Sequence, residues 1–239
     1  MDWEKTDNRF VAFFDVLGFK DMVQRKSHSE ILKKLENLKS HVEKLEGHEF
    51  DENKLKKANL EIVKYQTRSV TFSDSFLFFS KKDSKEDLVK ILVDSWYFLK
   101  YALKNKIAVK GAISFGKITL DFEKNLFFGQ PIIDAYLLHE DLNMLGVVFD
   151  HNAENQCKTY DELKILQTSI GFEKVRLKYG GVNHSFVAAL NVDVIQNLLE
   201  SLDSMYSITS GKPRVYIDNS IDFYGNLKDK LEKESKQSD

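Results

Sequence analysis

The sequence is poor in the residues that staple, kink or span. Cys157 is the single cysteine in 239 residues, which excludes a disulfide framework and a thiolate metal site. With 2 prolines and 11 glycines there is no Pro- or Gly-rich linker, and neither an internal repeat nor a low-complexity tract interrupts the chain. No apolar run approaches the roughly 18 residues of a membrane span. Met1-Asp2-Trp3-Glu4-Lys5 lacks the basic start and apolar run of a signal peptide, so a cytoplasmic protein without a membrane partner is expected. Net charge is −2 with both signs mixed, which gives no footprint for nucleic acid and predicts none as a partner. The 6 histidines show no HxxxH or HxH spacing and are expected on the surface. GxSxG, P-loop and GxGxxG motifs are all missing.

What is present is a core. The chain is 42% hydrophobic with 18 Phe, ample for one domain over 8–225, followed by a charged tail over 226–239 expected to fray. The stretch Val11-Ala12-Phe13-Phe14-Asp15-Val16-Leu17-Gly18-Phe19 runs apolar residues into one carboxylate and then a glycine. It reads as a buried strand with Asp15 at its carboxyl end, a turn through Gly18 and the start of a helix. A carboxylate there can hold a divalent cation, with backbone N–H groups nearby for phosphate; a surface Asp beginning a turn is the other reading of this stretch taken alone.

Further along, Ile31, Leu35, Leu38, Val42 and Leu45 make one apolar helical seam, expected to pack on the domain's own sheet. Gly47 to Asn59 is charged and irregular, a surface loop. A strand from Leu60 through Val70 and the run Ser75-Phe76-Leu77-Phe78-Phe79 flank Phe72-Ser73-Asp74 as a β-hairpin with Asp74 at its tip. Ser84 and Asp87 form a capping-box-like start to a helix carrying Leu88, Ile91, Leu92, Trp96, Leu99 and Leu103. Ile107 to Gly116 reads as a strand, with Gly111 inside it marking the close approach of a backbone or ligand. A short strand at Ile118–Leu120, Phe127-Phe128-Gly129, a helix from Pro131, a strand at Val147–Asp150, a strand over Val182–Val192 and a helix capped by Asp193 complete the pattern. The order β-α-β-β-α-β predicts an α+β, ferredoxin-like plan: a mostly antiparallel sheet with helices on one face.

In that topology the end of the first strand lies beside the hairpin tip, so Asp15 meets Asp74. Two such carboxylates repel unless protonated or bridged by cations. A pair of Mg²⁺ or Mn²⁺ ions about 3.5–4 Å apart resolves this and creates a two-metal phosphoryl-transfer centre. The backbone of Leu17, Gly18 and Phe19 can then hold phosphates, with Gly18 needed because a side chain would obstruct them.

These stretches resemble the class III nucleotide cyclases. Phe13 to Phe19 is similar to their first metal motif and Thr71-Phe72-Ser73-Asp74-Ser75 to their hairpin motif. Lys110 to Gly116 resembles their strand carrying a basic residue and glycines, and Phe128 to Leu138 the helix that follows. Purine cyclases carry a lysine where Val70 stands, and an asparagine and arginine where Ile133 and Leu137 stand. With its Ser-Asp-Ser hairpin and Ile-Asp-Ala-Tyr helix, the chain is closer to the bacterial pyrimidine cyclases of Pycsar antiphage systems. The resemblance thins beyond Asp150.

The resemblance implies a homodimeric enzyme that converts UTP to cyclic UMP and pyrophosphate, its product acting on a cyclic-nucleotide-responsive effector after phage infection. Asp15 and Asp74 would be the catalytic metal-bridging carboxylates with two Mn²⁺ or Mg²⁺ ions, the Val16 carbonyl a further metal ligand, and Leu17, Gly18 and Phe19 the phosphate binders. Arg68 and Lys110 are candidates for the missing transition-state stabiliser by charge and strand position, or else solvated strand residues. Tyr65 and Gln66 are placed to read a base edge, or else are ordinary strand side chains. The alternatives are a cytidylate cyclase making cyclic CMP, or a catalytically inactive cyclase-fold module that senses a nucleotide. A diguanylate cyclase ranks below these, because Phe72-Ser73-Asp74-Ser75-Phe76 lacks two glycines and a second acid.

Overall fold

A computed structural model of the chain describes residues 3–46, 66–160 and 164–237. The elements run β1 (Thr6–Val16), α1 (Phe19–Arg25), α2 (His28–Glu46), β2 (Thr67–Phe72), β3 (Ser75–Ser80), α3 (Lys85–Lys104), β4 (Val109–Asp121), β5 (Leu126–Gly129), α4 (Gln130–Asp141), β6 (Val147–Phe149), α5 (His151–Lys158), α6 (Lys164–Ser169), β7 (Ile170–Leu177), β8 (Gly180–Val187), α7 (Val192–Tyr206) and α8 (Lys212–Gln237). The expected strand segment Leu60–Tyr65 and the loop at 47–59 lie outside the described residues.

Eight strands form one sheet in the order β2-β3-β1-β4-β6-β8-β7, with β5 paired to β4. The first four keep the ferredoxin-like arrangement: β1 lies between β3 and β4, antiparallel to both. Among the described residues only β4 and β6 run parallel. The mostly antiparallel α+β plan is therefore the one expected. β1 is central and nearly continuously apolar because both its faces are covered.

The helices occupy both faces rather than one. Phe98 of α3 packs on Phe14, Phe76 and Phe78 at ring separations of 4.9–5.4 Å. Phe13, pointing the opposite way from Phe14, meets Tyr136 and His139 of α4 at 5.6 and 4.6 Å. A parallel crossover from β4 to β6 has to pass over one face, and here α4 takes the face that α3 leaves open.

Local chemistry explains the boundaries. Ser27 and Glu30 make a reciprocal capping box before α2, and Ser84 and Asp87 make one before α3. The α2 seam of Leu38, Val42 and Leu45 joins the main core. The strands expected at 107–116 and 118–120 are one, β4, which runs through Gly116; a Cβ there would sit 3.1 Å from Pro131, so the glycine admits the start of α4. At Gly111 the close approach is internal: a Cβ would come 2.6 Å from the Phe14 ring and 2.7 Å from the Phe13 carbonyl. Asn191, not Asp193, caps α7, its Oδ1 accepting from Val194 N at 3.2 Å. The strand expected over Val182–Val192 is β8 of a β7–β8 hairpin and ends at Val187. The end of the chain, 228–237, continues α8, supported by the ion pairs Lys228–Glu232 and Lys230–Glu173; the boundary expected at 226 falls inside this helix. Among the described residues no helix is long and apolar enough to cross a membrane.

Candidate active site

Asp15 sits one residue from the end of β1, opposite Ser75 on β3 and Lys110 on β4. The two-residue turn Ser73-Asp74 joins β2 to β3, and the Val16 N–H donates to the Asp74 carbonyl at 3.1 Å. The hairpin tip is thus tied to the strand end that carries Asp15. Ser73 holds φ at 56°, a left-handed conformation uncommon for a non-glycine residue. That local strain sits next to Asp74, as is frequent at functional sites.

The electrostatics are those of an unbridged pair. Burial, then the charge of Asp74, push the Asp15 carboxyl up to about 6, while the Ser75 hydroxyl and Lys110 pull the other way. The Ser75 Oγ donates to Asp15 Oδ1 at a long 3.4 Å. Lys110 is nearby but committed elsewhere: its Nζ donates to the Glu140 and Leu142 carbonyls at 3.2 Å each and stands 5.4 Å from the centre of the Tyr216 ring. Burial draws its pKa down to about 8. Lys110 therefore fastens the end of α4 and the start of α8 to the strand beside Asp15.

The turn after Asp15 is built as the sequence predicts, for a different reason at Gly18. The Leu17 N–H donates to the Ala108 carbonyl at 2.8 Å, and Gly18 precedes α1 at φ 77°. A Cβ on Gly18 would meet nothing within 4 Å, so backbone conformation rather than space calls for glycine in the protein alone. Phe19 opens α1, half-buried, and Val16 closes β1, buried and paired with Val109.

Other expected residues lie elsewhere. Tyr65 is outside the described residues, and Gln66 precedes β2. Arg68 pairs with Phe79, which pairs in turn with Val11, so it lies two strands over from Asp15 and four positions, about 13 Å, away along the strand direction. Its guanidinium stacks on Trp3 and Phe122 at 5.0 and 4.6 Å. Val70 is half-buried, whereas Ile133 and Leu137 of α4 are 52% and 56% exposed.

Sequence reasoning placed every histidine on the surface, and His139 is an exception. It is buried against Phe13, with Nδ1 at the Tyr136 carbonyl and Nε2 without a hydrogen bond. Burial, then Lys110, draw its pKa down to about 4, so the ring is neutral at pH 7. Its three-residue spacing from Tyr136 on α4 was the available signal.

The donor set fits hard cations. Asp15 and Asp74 offer carboxylate oxygens with backbone carbonyls beside them, the preference of Mg²⁺ and Mn²⁺. Among the described residues no group of three or more His, Cys, Asp and Glu converges as a closed zinc site would require.

No sequence-family model matches the chain, and no curated protein sequence does either. Solved structures do. The catalytic core of a rhodopsin-guanylyl cyclase with converted specificity, in complex with ATPαS, superposes with a TM-score of 0.54 at 11% identity, covering 78% of this chain and 99% of that one. The dimeric guanylyl cyclase domain of a RhoGC fusion protein from the aquatic fungus Blastocladiella emersonii gives 0.54 at 12% identity, with coverage of 78% and 99%. A bacterial light-regulated adenylyl cyclase gives 0.50 at 10%, covering 82% of this chain and 58% of that one. The fold is that of the class III nucleotide cyclase domains.

Proposed function

We propose that this protein is a pyrimidine nucleotide cyclase that converts UTP to cyclic UMP and pyrophosphate, the second-messenger synthase of a Pycsar antiphage system. The observation that carries the reading is the Asp15–Asp74 pair, mutually repelling at the strand end and hairpin tip of a nucleotide cyclase fold. The ribose 3′-oxygen bonds to the α-phosphorus, the α-phosphorus–bridging oxygen bond breaks, and pyrophosphate leaves with the electron pair. Two Mn²⁺ or Mg²⁺ ions, when bound, would acidify the 3′-hydroxyl, whose proton leaves to solvent, and would neutralise charge on the leaving oxygens. Asp15, Asp74 and the Val16 carbonyl hold those ions, and the Leu17–Phe19 backbone receives the phosphates.

The pyrimidine assignment rests on the likeness of the Ser73-Asp74-Ser75 hairpin and the Ile133-Asp134-Ala135-Tyr136 helix to the Pycsar pyrimidine cyclases, with Val70, Ile133 and Leu137 standing where purine cyclases carry polar groups. Assembly as a homodimer is supported by apolar side chains left exposed on α4, β5 and the hairpin tip: Ile133, Leu137, Phe128 and Phe72, all more than half exposed. The same replacements on α4 also favour a second reading, a nucleotide-sensing module without turnover. Cytidine triphosphate is the alternative substrate.

The test is incubation with each of the four nucleoside triphosphates and Mn²⁺, with products resolved by chromatography. Cyclic UMP from the wild type and none from Asp74→Ala is the expected result. Cyclic CMP instead reassigns the base, tight binding without turnover supports the sensing module, and a product that persists in Asp74→Ala overturns the site.

A further inference from the structure

A cleft of about 290 Å³ opens between α2 and the end of α3, away from the Asp15–Asp74 pair. Lys33, Lys34 and Asn37 of α2 form one wall, Tyr101 and Asn105 the other, and Ile107 the floor. Lys34 is half-buried, and its pKa is drawn down by burial and by the neighbouring charge of Lys26, with Glu30 pulling the other way. A cation partly withdrawn from water and facing another cation is unfavourable unless an anion joins it.

The compensation the chain supplies comes from Glu30. Glu30, the carboxylate in the cleft, is committed to the cap of α2, accepting from the Ser27 N–H at 3.1 Å and the Ser27 hydroxyl at 2.9 Å. Among the described residues no carboxylate lies within ion-pair distance of Lys26, Lys33 or Lys34. Three of the carbonyls at the end of α3, which would repel an anion, already accept hydrogen bonds. Tyr101 O accepts from Asn105 N and Nδ2, Leu103 O from Lys106 N, and Ala102 O from Ile107 N. His41 stacks on the Tyr101 ring at 3.9 Å and fixes that wall. Ile107 adjoins Ala108, whose carbonyl holds the Leu17 N–H, so the cleft floor and the turn after Asp15 share one short backbone segment.

We infer that this cleft is an accessory binding site for a small phosphate-bearing anion, separate from the metal-site carboxylates. Lys33 and Lys34 provide the charge, and the volume suits an inorganic or short organic polyphosphate rather than a whole nucleotide buried with its base. The inference does not depend on the cyclase reading.

The test is calorimetric titration of the full chain with inorganic pyrophosphate and, separately, UTP, in EDTA so that divalent cations take no part. Saturable one-to-one binding of pyrophosphate is expected, unchanged within about twofold in Asp15→Ala and weakened about tenfold or more in Lys33→Gln/Lys34→Gln. Binding of UTP through its phosphates should be lost in the same double variant. Equal weakening in the surface control Lys39→Gln/Lys100→Gln, no saturable binding, or binding indifferent to Lys33 and Lys34 would each overturn the site. A second measurement avoids dependence on variant folding: pyrophosphate should protect Lys33 and Lys34 of the wild type from acetylation, read by mass spectrometry. Absence of that protection also overturns it.

Discussion

Two withdrawn aspartates in this molecule are treated in opposite ways. Asp94 of α3 is fully buried, and the chain satisfies it completely: both its oxygens accept from Lys90 Nζ, at 2.6 and 2.7 Å, and one accepts from the Thr67 hydroxyl at 2.6 Å. Lys90 also donates to the Leu45 carbonyl, so the ion pair ties the end of α2 to α3 and β2. Asp15 is half-buried, receives one long hydrogen bond, and faces a second carboxylate. At Asp94, which serves the fold, the fold supplies the cation. At Asp15 the nearest ammonium is turned away to fasten α4, and the charge remains unbalanced within the chain.

The sharpest test removes one member of each pair. Asp74→Ala should leave the fold intact and lower cyclic-product formation on the order of a thousandfold or more, equivalent to about 4 kcal/mol of transition-state stabilisation. Asp94→Ala should do the reverse. An uncompensated Lys90 in the core is expected to cost about 3–5 kcal/mol of stability by urea denaturation, whereas Lys90→Met with Asp94→Leu restores most of it. If Asp94→Ala proves harmless, or Asp74→Ala unfolds the protein, the contrast between the two sites fails.

Protonation offers a subtler probe. The Asp15 carboxyl titrates at about 6 in the fold against 3.8 unfolded. The folded state therefore keeps its proton between those values, and this contribution to stability is full below about 4 and lost as pH rises through about 6. With partial solvent screening it amounts to about 1–3 kcal/mol. Comparing wild type with Asp15→Asn by thermal melting should isolate it, the variant lacking that part of the pH dependence. Mn²⁺ requires the ionised form, so its stabilisation should be weak at pH 5, strong at pH 7.5 and missing from Asp15→Asn. The smallest effect is expected at the hairpin tip: Ser73→Gly relieves the left-handed serine and should change stability by about 0.5 kcal/mol while product formation persists.

The first half of this contrast was readable in the sequence. An apolar run ending in one carboxylate and a hairpin ending in another are local signals, and a ferredoxin-like order brings them together. The second half was not. Lys90 and Asp94 sit at helical spacing on α3, but nothing local says that this face is covered by α2 and β2. Burial also escaped the sequence at His139, because α4 has a weak apolar stripe and lies on the face thought open. The β7–β8 hairpin was only partly legible. Gly171, Gly180 and Gly181 dilute its alternation, and Phe172, Tyr179 and Val182 stay exposed on it. The link from Lys110 to Tyr216 crosses between segments too distant for any pattern to connect.

Gly111 gives the site an unexpected genetic footprint. It carries no functional group, yet its backbone lies under the Phe14 ring, immediately beside Asp15. Any side chain at 111 must displace that ring or the strand that bears it, and Asp15 moves with the strand. In a saturation screen for lost cyclic-product formation, position 111 should therefore score like a chemical residue, with even alanine rejected. A catalogue of essential positions drawn up without the structure would assign catalysis to a residue whose only contribution is the room it leaves.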